Sequence, residues 1–151
     1  MVDIEKLKTL RKKTDISLAL CKKALEETKN DLKKAEALLL KWGAEKISEK
    51  KDRLSTQGAI FSYVHHNKKI ATLVELLCET DFVAQNTDFQ KLGTELAMQL
   101  AFNNAKNLED FLNQEYIRDP SKKVQDLFKE AAIKFGENIK INRFLRWTLG
   151  E

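Results

Sequence analysis

The chain of 151 residues has one proline, five glycines and two cysteines, and no apolar run approaches the roughly 20 residues that span a bilayer. So little Gly and Pro argues against long structureless regions. Cys21 and Cys78 lie far apart, with no Cys-x-x-Cys spacing and no Cys/His cluster. His65 and His66 are adjacent, which places them badly to share one metal. The expectation is two reduced structural thiols and a turn containing His, with no metal and no cofactor. Met1-Val2-Asp3-Ile4-Glu5 carries acids early and lacks the apolar core of a signal peptide or the acid-poor character of a mitochondrial presequence. No membrane partner and a cytoplasmic location are expected.

Catalytic signatures are missing as well. There is no G-x-x-x-x-G-K-[ST] or G-x-G-x-x-G phosphate loop and no Gly-x-Ser-x-Gly elbow. The acids form no pattern of paired general acid and base, and the few Ser and two His form no nucleophile arrangement. The chain is not expected to be an enzyme. Aromatics do not alternate with basic residues as they do on nucleic-acid stacking platforms.

What is present is core-forming material and charge. Apolar residues make up 42% of the chain, enough for a core, and charged residues 33%, which implies much solvated helix surface. The net charge of +4 is uneven: residues 1–55 hold 15 Lys/Arg against 10 Asp/Glu, and residues 56–151 hold 12 against 13. A basic N-terminal third suits an acidic protein or RNA, or simply keeps short helices solvated.

Residues 4–43 read as three short helices. Ile4, Leu7 and Leu10 mark the first. Leu18, Cys21, Ala24 and Leu25 form one face of the second, after the break at Thr14-Asp15-Ile16-Ser17. The third starts at Asn30-Asp31, carries Leu32, Ala35, Leu38, Leu39 and Trp42, and is expected to stop at Gly43. A core of this size is marginal, and such a unit usually docks rather than catalyses. Residues 44–57 are charged and poor in large apolar groups, which makes them the expected linker, open or partly helical, to a second domain over 58–151.

In that domain Ile60–Val64 and Ile70–Cys78 read as a hairpin around His65-His66-Asn67-Lys68-Lys69. Residues 70–78 are apolar on both faces, so that strand is expected to be well covered by helices. Thr87-Asp88 can cap a helix through Ala101, and Leu108–Leu112 a further helical turn. Asp119-Pro120-Ser121 is read as the start of a helix striped by Val124, Leu127, Phe128, Ala131 and Phe135 and stopped by Gly136. A last strand over Ile139–Leu149 alternates Ile139, Ile141, Leu145 and Trp147. The expected class is α+β, a helical unit followed by an antiparallel sheet of about three strands packed with helices. So small a sheet leaves an edge or face that invites a second subunit.

The segment richest in information is Cys78-Glu79-Thr80-Asp81-Phe82-Val83-Ala84-Gln85-Asn86. It places a carboxylate beside an aromatic ring just past a strand end, an arrangement suited to pushing into a partner. The plain alternative is a core Phe at a strand-to-helix joint.

This segment resembles the signature of elongation factor Ts, the nucleotide exchange factor of bacterial translation. Leu10-Arg11-Lys12-Lys13-Thr14 with Cys21-Lys22-Lys23-Ala24-Leu25, then Gly43-Ala44, then Gly136-Glu137-Asn138-Ile139 with Arg143, resemble further family stretches in the same order. The resemblance implies that the three N-terminal helices form a ubiquitin-associated-like domain. It also implies a partner, elongation factor Tu, in its GDP-bound and nucleotide-free forms. Phe82 would insert near the partner's Mg²⁺ site, Asp81 would redirect hydrogen bonds there, and Thr80 and Val83 would set the loop. Leu18, Ala19 and Lys22 would make a secondary contact. Where the family commonly has Gly-Ala-Gly-Met-Met, this chain has Asp15-Ile16-Ser17-Leu18-Ala19.

Long family members carry two related core halves and a coiled coil. This chain resembles the short members, shortened further between Leu112 and Asp119, and one core half per chain implies a homodimer. A direct nucleic-acid partner is not expected. A competing reading makes residues 1–55 a small basic adaptor for ribosomes or RNA, with steeply salt-dependent binding and no effect on GDP release. A third, a ubiquitin-binding module, leaves the second domain unexplained.

Overall fold

The computed structural model describes residues 1–50 and 53–151. It has two compact units, Met1–Asp52 with Phe128–Glu137, and Arg53–Leu127 with Asn138–Glu151. The α+β class expected from the sequence is the class observed.

The first unit is built on α1 (Ile4–Thr14), α2 (Leu18–Glu27) and α3 (Leu32–Lys50). Asp3 caps α1 by accepting from the Glu5 and Lys6 amides at 3.0 and 3.2 Å. Asp15 closes α1 in the left-handed region at φ 57°, and Ser17 then caps α2 through the Leu20 amide. Between them Ile16 is fully buried, so the break in the pattern still delivers a side chain to the core. That core is Leu10, Ile16, Cys21, Ala24, Leu25, Ala35 and Leu39, with Ile133 packed against it.

Gly43 does not stop the third helix, which runs on to Lys50. The reason for glycine there is packing: a Cβ on Gly43 would collide with the Lys129 carbonyl. Residues 44–50 of the expected linker therefore continue α3, and residues 51–52 of it lie outside the described residues. Three helices alone make a marginal core, and a segment from α7 (Val124–Phe135) joins them where glycine lets two backbones approach.

The second unit centres on an antiparallel sheet of β1 (Gln57–Val64), β2 (Ile70–Cys78) and β5 (Lys140–Thr148), with β2 in the middle. The hairpin turn closes through the His65 amide to the Ile70 carbonyl at 2.9 Å, with Lys68 at φ 61°. After β2 come α4 (Asp81–Ala84), α5 (Thr87–Phe102), α6 (Leu108–Asn113) and a two-stranded ribbon of β3 (Glu115–Tyr116) and β4 (Asp119–Lys123).

Helix α5 covers one face of the sheet. Phe61 of β1 packs on Phe89 and over Gly93, and the Thr72 hydroxyl donates to the Ala97 carbonyl at 2.8 Å. Phe144 of β5 meets the buried Phe111 of α6 on the same side, with centroids 5.5 Å apart. Helix α5 is capped by Asn86, whose side chain accepts from the Asp88 amide at 2.8 Å, rather than by Thr87-Asp88.

Three sequence expectations change here. First, β2 is covered on one face only: Val74 and Leu76 are buried, while Leu73 is exposed on the other side. Second, β5 does not alternate throughout. Glu75 pairs with Arg143 and Leu76 with Ile141, so Asn142 is an extra residue. One extra residue reverses which side chains face the core. Ile139 and Ile141 are buried, whereas Leu145 and Trp147 point to the open face.

Third, Asp119–Lys123 is a strand, and the helix expected from Asp119 begins at Val124. The Asp119 carboxylate accepts from the Ser121 amide and hydroxyl at 3.1 and 2.6 Å. Such local bonds compete with helix. The ribbon is held by the buried Gln99, which donates to the Glu115 carbonyl at 3.0 Å and accepts from the Ile117 amide at 2.9 Å.

Candidate docking site

The end of β2 leads directly into the turn that carries Thr80, Asp81, Phe82 and Val83. Thr80 is extended and caps α4: its hydroxyl accepts from the Val83 amide at 3.4 Å. Its carbonyl accepts from the Ala84 amide at 3.2 Å and from the Cys78 thiol at 3.2 Å. On the far side the Ala84 carbonyl accepts from the Gln90 side chain at 2.7 Å, and Ala84 itself is buried. The single turn of α4 is therefore tied to the strand before it and to the helix after it.

From this braced turn Phe82 stands 91% exposed. Asp81 is exposed beside it, and Val83 is half-buried. A core role for Phe82 is excluded by its exposure. An exposed large aromatic on a fixed turn has apolar area to bury and little backbone freedom to lose.

Leu18, Ala19 and Lys22 lie on α2 at spacings of one and four residues, and all three are exposed. Leu18 is 52% exposed, so it does not share the buried face of Cys21, Ala24 and Leu25 that the apolar pattern assigned it. It opens the helix at N1, directly after the Ser17 cap. Thr80–Val83 form one turn of the second unit, and Leu18, Ala19 and Lys22 form one face in the first.

A second apolar surface was only partly legible. Ile60, Leu73, Leu145 and Trp147 share the face of the sheet opposite α5, with Trp147 69% exposed. Glu75 and Arg143 form an ion pair on the same face at 3.2 Å. The bulge at Asn142 brings Leu145 and Trp147 to this side, and no residue pattern announces it.

Titration is perturbed in both units; in the second, the hydrogen bond to Glu95 pushes the Arg118 guanidinium up. Burial pushes the Cys21 thiol up, and contact with the Thr14 hydroxyl and the charge of Arg11 oppose that in part. No group of three or more His, Cys, Asp or Glu able to hold a metal occurs among the described residues. No helix among them is long and apolar enough to cross a membrane.

The family model for elongation factor TS matches residues 79–151, from Glu79 at the start of this turn to the end of the chain. The elongation factor Ts of Thermosipho melanesiensis is 37% identical over 196 aligned positions that cover all of both chains. That of Coprothermobacter proteolyticus is 37% identical over 190 positions, covering 96% of each. That of Anaeromyxobacter sp. strain K is 36% identical over 195 positions, covering 99% of this chain and 89% of its own. The alignments are longer than the 151-residue chain, so these relatives carry residues that it lacks.

The class is that of the translation elongation factors, proteins of protein biosynthesis. Within it, the chain belongs to the elongation factor Ts family.

Proposed function

We propose that this chain is a cytoplasmic guanine-nucleotide exchange factor that binds elongation factor Tu in its GDP-bound form, displaces Mg²⁺ and promotes GDP release. The observation that carries this reading is Phe82, 91% exposed on a turn braced at both ends. Burying a Phe ring contributes about 1.5–3 kcal/mol. That gain would offset the cost of parting the partner's helices near the Mg²⁺ site. Asp81 would take up hydrogen bonds there, while Thr80 and Val83 hold the turn's shape. Leu18, Ala19 and Lys22 would dock against the same partner.

No covalent bond changes in this scheme, so the factor turns over without being an enzyme. Linkage requires reciprocity: a factor that weakens GDP binding is itself bound more weakly when GDP is present. Nucleotide-free Tu is therefore the form that holds it most tightly, and incoming GTP helps to expel it.

We further propose that the working form is a homodimer in which two open sheet faces meet. Ile60, Leu73, Leu145 and Trp147 supply apolar area, and the Glu75–Arg143 pair carries both charges, so a two-fold partner meets no net repulsion there.

Phe82→Ala tests the exchange reading. The variant should keep its melting temperature, since the side chain is exposed, and lose most of its acceleration of GDP release from Tu. A variant that releases GDP as fast as the parent would contradict the reading.

A further inference from the structure

Two stretches far apart in sequence meet on one carboxylate. Glu79 immediately precedes Thr80, and its Oε2 accepts from the Asn138 backbone amide at 2.5 Å. Its Oε1 faces Arg53 Nη1 at 3.5 Å. The Glu79 side chain is only 14% exposed, and Asn138 is buried. The Asn138 side chain in turn donates to the Ser55 hydroxyl at 3.4 Å. The chain leading into β1, the end of β2 and the approach to β5 are thus joined immediately behind the turn that carries Phe82.

Short bonds from a carboxylate to a backbone amide are among the stronger hydrogen bonds, and they are directional. This tie adds to the bonds that brace the turn at its start. The residue after Glu79 is extended, and α4 is a single turn. With the carboxylate anchored, the turn leaves the sheet in one direction. Without it, one tie of the braced turn is lost, the ring's direction is less fixed, and ordering the ring would cost free energy in the step that parts the partner's helices.

We propose that Glu79 is a positioning residue that fixes the direction in which Phe82 projects by pinning the end of β2 to Asn138 and Arg53. It acts through Phe82 and touches no nucleotide. The inference rests on the exchange reading above.

Glu79→Gln tests it. The amide keeps the shape and one acceptor oxygen but loses the charge and the Arg53 pair. In GDP release from Tu, the maximal rate should fall about tenfold, while the concentration of factor at half-maximal rate changes by less than about twofold. In a Phe82→Ala background the same change should do almost nothing further, because a residue acting through another is not additive with it.

A parent protein that does not speed GDP release at all would overturn the exchange reading and this inference with it. A parent that is active, a defective Phe82→Ala and a Glu79→Gln that matches the parent would overturn this inference alone. An equal loss from Glu79→Gln with and without Phe82 would also overturn it, since the effect would not pass through the ring. If Glu79→Gln does not fold, Arg53→Met serves instead, because that side chain is 59% exposed. It should lower the maximal rate about two- to threefold with Phe82 present and not without it. An unchanged rate with Phe82 present would overturn the inference.

Discussion

Leu73 and Leu145 face each other across the β2–β5 pairing, each 44% exposed on the side of the sheet opposite α5. Trp147 lies further along the same strand on the same face. A monomer rarely leaves so continuous an apolar surface on a central strand. The parent should therefore sediment as a dimer at micromolar concentration. Trp147→Lys should sediment as a monomer with an unchanged circular dichroism spectrum. A parent that is monomeric under those conditions would remove the dimer from the account.

Gly43→Ala sets two effects against each other. Alanine in a helix interior gains up to about 1 kcal/mol over glycine. The added methyl, however, would strike the Lys129 carbonyl, a backbone atom that cannot rotate away. Overpacking of this kind costs about 1–3 kcal/mol. The net expectation is a lower melting temperature, by several degrees, measured by thermal denaturation.

Gln99→Leu should be more costly still for its size. Gln99 is fully buried and serves the ribbon through both ends of its amide. Leucine would leave the Ile117 amide and the Glu115 carbonyl without this partner. Stranding a buried polar group costs about 1–3 kcal/mol. Urea unfolding should show the loss.

Cys21 makes stability depend on pH in the alkaline range. Burial raises its folded-state pKa above that of the unfolded chain. The native state then holds a proton that the unfolded state has released, so stability is intact below the unfolded thiol pKa and falls as pH rises above it. Cys21→Ala costs packing at all pH values. Its denaturation midpoint should nevertheless decline less steeply than the parent's above about pH 8.5. Parallel curves would show that the thiol contributes nothing to the dependence.

Much of this molecule was legible in its residues because local rules dominate where the pattern is clean. Asp3 and Ser17 cap helices, and Leu7 and Leu10 of α1, Cys21, Ala24 and Leu25 of α2, and Ala35 and Leu39 of α3, each set at helical spacing, meet in one core. The hairpin around His65–Lys69 follows from two apolar runs and a polar turn. The failures share a cause, which is that distant contacts override local signals. Gly43 looks like a helix stop but marks a close approach by a residue 86 positions later. Asp119-Pro120-Ser121 looks like a helix start, but Asp119 pairs with Tyr116 in a ribbon held by Gln99.

At the candidate site, the residues Thr80–Val83 could be singled out from sequence, but Phe82's exposure could not. A strand end followed by a capped helix is equally compatible with a buried ring. Glu79 was in view beside the turn, yet its bond to Asn138 joins residues 59 apart and has no local trace. The only hint was that both lie in stretches that resemble the same family.

The most direct measurement is the rate of GDP release from elongation factor Tu with the parent, with Phe82→Ala and with no factor. The parent should accelerate release, Phe82→Ala should accelerate it at least about 30-fold less, as for a hot-spot residue worth 2 kcal/mol or more, and the two proteins should melt at the same temperature. Equal acceleration by parent and variant, or none by the parent, would contradict the exchange reading.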